Sequence, residues 1–118
     1  MRISTKHKGD ITILSLARDF DGGKDCEKFQ ETISGLIAEG ERKFVLNFSM
    51  IRWINSCGLG KLVAIHQEVG DSGGRVILCN LEGRNLSIMY TTKLYDVFEV
   101  SESLNEALAR FETVETGS

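Results

Sequence analysis

A hydroxyl and a thiol, both able to form covalent bonds, stand side by side at Ser56 and Cys57. The segment around them follows an apolar run and precedes a helical pattern, which predicts a passage from a strand into a helix. Asn55 and Ser56 occupy the positions of helix N-cap residues. Because a helix N-terminus offers free N–H groups and the positive end of its dipole, the fold should tolerate a phosphate on Ser56. Such a phosphate would change the surface without unfolding the domain.

Each of these groups also has a purely structural interpretation. Ser56 as an ordinary N-cap would stabilise its helix by about 1 kcal/mol. Cysteines at helix starts can act as nucleophiles, but the sequence places neither His7 nor His66 to activate Cys57. Gly58 in the first turn costs about 1 kcal/mol of helix propensity, which predicts close backbone packing or the close approach of a partner. Met50, just before this segment, is expected on the surface.

The elements that position this segment alternate between strand and helix patterns. An opening hairpin is predicted first, because two apolar runs flank the turn signal at Gly9-Asp10. Later elements are separated by glycine-rich turns, and Ser103 with Glu106 forms a capping box for the last helix. The predicted strands are 3–7, 11–16, 43–48, 75–79 and an edge strand at 97–100. The predicted helices are 25–40, 59–70, 84–91 and one after Ser103.

This alternation predicts an α/β fold with a mixed sheet, mostly parallel, an N-terminal antiparallel hairpin and about four helices. No proline, repeat or linker divides the chain, so residues 1–118 are expected to form a single domain with a frayed tail at 113–118. The functional surface of such a sheet usually lies at the carboxyl ends of its strands. The loops at 17–24 and 49–56 meet that description.

Composition excludes several classes of protein. Hydrophobic residues make up 42% and charged residues 26%, which is typical of a folded soluble domain. A net charge of −3 without a basic stripe argues against nucleic-acid binding, and no apolar run is long enough for a membrane span or a secretory signal. The three cysteines fit neither a disulfide framework nor a zinc site, so we expect no metal, no cofactor and a reducing cytoplasm.

The stretch Asn55-Ser56-Cys57-Gly58-Leu59-Gly60, after the apolar run 44–48, resembles a motif of the STAS domain family. It is most similar to the small bacterial anti-sigma factor antagonists, whose pattern is a strand, a loop and Asp-Ser-Ser/Thr-Gly-Leu-Gly. The order of elements agrees with that family from about Gly9 to Phe111. The resemblance therefore covers nearly the whole chain.

The resemblance implies a phosphorylation switch and no enzymatic activity. In the family, the serine matching Ser56 is phosphorylated by a serine kinase that is itself the anti-sigma factor. The unphosphorylated antagonist binds that kinase and releases the sigma factor, and a PP2C-type phosphatase resets the phosphorylated form. Asp21, in the first strand-to-helix loop, matches an acidic residue near the kinase-binding surface. Met50, Asn55, Cys57 and Gly58 complete the expected contact surface around Ser56.

Three positions depart from the family pattern. Asn55 replaces the usual aspartate, Cys57 replaces the second serine or threonine, and Arg18 stands where glycine is expected. All three leave the hydroxyl of Ser56 in place. Asn55 keeps the capping ability and removes one negative charge next to the acceptor.

Two other functions stay open at this point. The first is an unswitched STAS scaffold, such as a subunit of a signalling or lipid-transport complex, whose partner would be unaffected by Ser56→Asp. The second is a small enzyme or ligand-binding domain that uses Cys57 or the surface of Asp21 and Ser56. It predicts a pocket and a thiol at Cys57 far more reactive than those of Cys26 and Cys79.

Overall fold

The computed structural model describes residues 2–17, 23–52, 54 and 56–116. Strands and helices alternate after an opening hairpin, as the sequence predicts. The strands are β1 (Arg2–Lys8), β2 (Ile11–Ala17), β3 (Lys43–Met50), β4 (Arg75–Cys79) and β5 (Glu99–Ser101). The helices are α1 (Gly23–Ala38), α2 (Ser56–Asp71), α3 (Gly83–Thr91) and α4 (Leu104–Thr116), with one 3-10 turn at Leu94–Asp96.

The five strands form one mixed sheet in the order β1-β2-β3-β4-β5. β1 and β2 pair antiparallel, and every later pair is parallel. Each parallel step needs a crossover, and α1, α2 and α3 supply these in turn. The predicted fold class is confirmed.

Two hydrophobic clusters lie on opposite faces of the sheet, because successive residues of a strand point to opposite sides. In β3, Phe44, Leu46 and Phe48 belong to the cluster that includes α1, α2 and α3, whereas Val45 belongs to the cluster under α4. This double coverage explains why the middle strands read as continuous apolar runs. It also places α2 and α4 on opposite sides of the sheet.

Some element boundaries differ from the sequence-based expectation. β5 begins at Glu99 rather than Val97, because Lys93 adopts a left-handed conformation and starts a 3-10 turn before the strand. α4 continues to Thr116 and so includes part of the segment 113–118 that was expected to fray. Neither glycine nor proline interrupts the helical pattern before Gly117. The capping box is confirmed by the hydrogen bond that Glu106 N donates to Ser103 Oγ, at 3.2 Å.

One ion pair joins the ends of β4 and β5 and predicts a pH dependence of stability. Arg75 donates two hydrogen bonds to the Glu99 carboxylate and lies over the Phe111 ring, 5.1 Å from its centroid. The guanidinium lowers the pKa of Glu99 below its ordinary value of 4.5. The charged carboxylate therefore stabilises the fold above about pH 4.5, and this contribution disappears as the pH falls through the lowered pKa.

Glu99→Gln should reduce the free energy of unfolding at pH 7 by about 1 kcal/mol or less, since both side chains are partly exposed and screened by solvent. The difference from the wild-type protein should shrink as the pH falls below 4.5, because the pKa of Glu99 in the folded protein lies below that value. Urea unfolding at pH 7, 5 and 3 measures it, with Glu102→Gln at an exposed carboxyl as the control. A difference that stays constant across this range would contradict the assignment.

Candidate functional site

The candidate site lies at the carboxyl edge of the sheet, where β3 ends at Met50 and α2 begins at Ser56. Ser56 is the first residue of α2 and is exposed, so its hydroxyl is accessible beside the free N–H groups of the helix start. An added phosphate would lie at the positive end of the helix dipole. The local structure is therefore compatible with both states of a phosphorylated serine.

The structure describes four of the six predicted contact residues. Ser56, Cys57 and Gly58 share the first turn of α2, with Cys57 exposed and Gly58 buried. Met50 is 66% exposed at the end of β3, which confirms its expected surface position. Asp21 and Asn55 lie outside the described residues, as does Arg18.

Buried anchors hold the connection between β3 and α2. Ile51 and Ile54 are 5% and 2% exposed and belong to the larger hydrophobic region. The backbone N–H of Ile51 donates to the carbonyl oxygen of Phe48, at 3.1 Å. Asn85, at the start of α3, donates from Nδ2 to the carbonyl oxygen of Ile51, at 2.9 Å. Ser56 thus follows a segment that is held at Ile51 by two hydrogen bonds and at Ile54 by burial.

Two further asparagines link β3 to the end of β4 beside the site. Asn47 Oδ1 accepts hydrogen bonds from Ser49 N at 3.0 Å and from Asn80 Nδ2 at 2.9 Å. Asn80 has φ of 60°, a left-handed conformation that asparagine tolerates better than most residues. None of these three asparagines is predicted from the sequence as a positioning residue. The available signal was the place of Asn80 directly after a buried strand, whereas Asn47, inside its strand, and Asn85 carried none.

Asn85 provides a direct test of how the connection is held. Its side chain is only 2% exposed, so Asn85→Ala leaves the carbonyl oxygen of Ile51 without this donor in a buried place. We expect a loss of about 1 to 3 kcal/mol in the free energy of unfolding. Chemical denaturation measures it, and Asn105→Ala at an exposed helix position is the matched control. Equal stabilities of the two variants would show that the bond contributes nothing.

The cysteines overturn one sequence-based expectation. The structure joins Cys26 of α1 and Cys57 of α2 by a disulfide, with a Cα–Cα distance of 6.5 Å. The expectation that the cysteines fit no disulfide framework was wrong for this pair, because Cys26 and Cys57 lie 31 positions apart in the sequence and only the packing of α1 against α2 brings them together. Cys79 remains a free thiol, and burial raises its pKa to about 11.

The histidines do not serve this site. His66 packs edge-on against Phe98, with ring centroids 4.9 Å apart, and His7 Nε2 lies 3.4 Å from Glu41 Oε1. Within the described ranges, no group of three histidine, cysteine, aspartate or glutamate residues is arranged to hold a metal ion. No helix among the described residues is both long and apolar enough to cross a membrane.

Comparison with known proteins identifies the family. The model of the STAS domain matches residues 2–107. The chain belongs to the STAS domain family. This membership agrees with the mixed sheet and with the strand-loop-helix position of Ser56.

Individual relatives are distant in sequence but similar over more than nine-tenths of this STAS domain. BtrV of Bordetella bronchiseptica, which carries the name anti-sigma factor antagonist, is 22% identical over 92% of this chain and 94% of its own. A crystal structure of an anti-sigma factor antagonist of Thermotoga maritima has a TM-score of 0.84 at 21% identity, covering 92% of each chain. The phosphorylated form of SpoIIAA from Bacillus has a TM-score of 0.73 at 20% identity, covering 93% and 99%. These structures share the fold.

Proposed function

We propose that this STAS domain is an anti-sigma factor antagonist whose binding state is switched by phosphorylation of Ser56. The observation that carries the proposal is the exposed hydroxyl of Ser56 at the first residue of α2, beside a connection anchored by Ile51 and Asn85. Among proteins of the same fold, SpoIIAA has been determined in unphosphorylated and phosphorylated forms. The protein acts in the cytoplasm as a binding module and catalyses no reaction.

The partner in this proposal is a serine kinase that acts as an anti-sigma factor. The unphosphorylated domain binds the kinase and so releases the sigma factor. Phosphorylation adds about −1.5 to −2 charges at neutral pH, which repels a partner that had packed on an uncharged surface. A PP2C-type phosphatase removes the phosphate and restores binding.

The contact surface is proposed to surround Ser56. Before Ser56 in the chain, Met50 offers an exposed apolar side chain, and directly after it Cys57 is also exposed. Exposed apolar groups next to a switched charge favour a protein partner, because the added charge opposes their burial. Asp21, Asn55 and Gly58 complete the proposed contact set, because they match positions of the family's contact surface in the sequence.

Intact mass and phosphopeptide mapping on protein isolated from its own host test the proposal. We expect one phosphate on Ser56 of the wild-type protein, and none on Ser56→Ala expressed in the same cells. Ser49→Ala, at a nearby exposed serine, should keep the phosphate. If no growth or stress condition yields phosphate on Ser56, the unswitched scaffold becomes the better description.

A further inference from the structure

Among the described residues, the cysteine pair lies in a row with two polar side-chain links along the seam between α1 and α2. One turn after Cys26, Gln30 Oε1 of α1 accepts a hydrogen bond from Lys61 Nζ of α2, at 2.6 Å. A second turn along, Ser34 Oγ donates to the carboxylate of Glu68 at 2.8 and 2.9 Å. The donors and acceptors on α1 therefore recur every four residues, starting from Cys26. The register of the two helices brings Cys57 to Cys26, at a Cα–Cα distance within the range for disulfides.

The seam does not depend on the cysteine pair. Phe29 and Ile33 of α1 and Leu62 and Ile65 of α2 are at most 1% exposed and belong to one hydrophobic cluster. These contacts and the two polar links hold the helices together whether the cysteines are oxidised or reduced. Oxidation and reduction can therefore alternate without unfolding the domain.

The two cysteines differ in accessibility, and this fixes the order of reaction. Cys57 is exposed in the first turn of α2, so solution reagents can reach its sulfur. Cys26 is 0% exposed directly beneath it. An incoming reagent thus meets Cys57 first, and Cys26 lies where it can attack the sulfur of Cys57.

We propose that reversible oxidation of Cys26 and Cys57 controls the phosphorylation of Ser56, an inference that rests on the proposed function. The oxidant class is a low-molecular-weight disulfide. The Cys57 thiolate attacks it and forms a mixed disulfide, releasing one thiol. Cys26 then attacks the sulfur of Cys57, which forms the intramolecular disulfide and releases the second thiol. Two protein thiols are oxidised, and one small disulfide is reduced to two thiols.

The effect on Ser56 follows from its position next to Cys57 in the chain. A kinase must place the acceptor oxygen in line with the transferred phosphoryl group, and small misplacements reduce the rate strongly. The buried contacts hold the middle of α2 in both states, and the disulfide adds a covalent link at its first turn, so this turn adjusts less readily to the kinase when Cys57 is oxidised. The oxidised domain remains unphosphorylated and bound to its partner, while the reduced domain is free to switch.

Formation of the bond is tested without any kinase. Reduced protein is treated with diamide, which takes two electrons and two protons from a thiol pair and leaves no group attached. We expect a peptide cross-linked through Cys26 and Cys57, loss of both thiols to alkylation, and reversal by dithiothreitol. Cys79 should stay a buried thiol throughout. Absence of the cross-link would overturn the redox inference and leave the proposed function untouched.

The effect on phosphorylation is measured with a desalted lysate of the host and ATP. The reduced wild-type protein should gain phosphate on Ser56 about tenfold faster or more than the oxidised protein. Cys26→Ala, which keeps the exposed surface and removes the pair, should react at the reduced rate with or without diamide. Equal rates for cross-linked and reduced wild-type protein would overturn the inference that oxidation regulates phosphorylation, and would leave the proposed function standing. Absence of phosphate on the reduced protein would overturn the proposed function, and with it the inference that oxidation regulates phosphorylation.

Discussion

Ser56→Asp is expected to weaken binding to the host's anti-sigma kinase at least tenfold, about 1.4 kcal/mol, while the domain stays folded. A carboxylate at the first residue of α2 faces free N–H groups and the positive end of the dipole, so the isolated domain accommodates it. In the complex, the same charge must be buried against a surface that had met a neutral hydroxyl, which is unfavourable. Titration calorimetry measures the affinity, and circular dichroism checks the fold.

A control variant at a second helix N-terminus separates the effect of place from the effect of charge. Ser103 is exposed at the start of α4, on the opposite face of the sheet from α2, and accepts a capping hydrogen bond from Glu106 N. Ser103→Asp adds the same charge and keeps the capping ability. It should bind the kinase like the wild-type protein. Equal weakening by both substitutions would point to net charge rather than to a switch at Ser56.

Phe29→Ala is expected to cause the largest loss of stability, about 3 to 5 kcal/mol. The ring is 0% exposed in the cluster between α1, α2 and the sheet, so its removal loses apolar burial and leaves a cavity. Small domains are stabilised by only about 5 to 15 kcal/mol in total. The variant should therefore unfold at much lower urea concentration and be partly unfolded at physiological temperature.

The comparison that makes this test specific is Val97→Ala. Val97 is 49% exposed after the 3-10 turn, so its truncation should change the free energy of unfolding by less than about 0.5 kcal/mol. Equilibrium urea unfolding of the two variants and the wild-type protein gives both values. A loss below about 1 kcal/mol for Phe29→Ala would mean that the helices pack less tightly on the sheet than described.

The departures from the family pattern acquire a physical meaning in the folded chain. Cys57 stands where relatives are expected to have a second hydroxyl, and the fold places a buried cysteine on the neighbouring helix directly against it. A serine at this position would keep the size and polarity of the site but not the redox chemistry. The exchange thus places a cysteine next to Ser56 and leaves the serine hydroxyl in the chain.

The sequence by itself determined the elements and their order. Apolar runs bounded by glycine turns predicted all five strands, and helical periodicity predicted the four helices between and after them. These patterns can be recognised because each lies within one contiguous segment and shows whether one face or both faces of that element are buried. The motif around Ser56 was readable for the same reason, since its strand, loop and helix start are contiguous. The boundaries were less exact: α2 begins at Ser56 rather than at 59, β3 continues to Met50, β5 begins at Glu99 and α4 reaches Thr116. The 3-10 turn at Leu94–Asp96 was not predicted, because a short turn has no periodic pattern.

Only the tertiary structure decided which distant residues meet at the site. The pairing of Cys26 with Cys57 depends on the register of two helices, and the bond from Asn85 to Ile51 depends on how α3 packs beside the end of β3. Thirty-one and 34 residues separate these partners, and no period or motif links them. These partners meet because the elements that carry them bury their apolar faces in the same core, and the close packing of that core fixes how far apart the elements lie. The sequence shows the apolar face of each element separately but not which faces pack together.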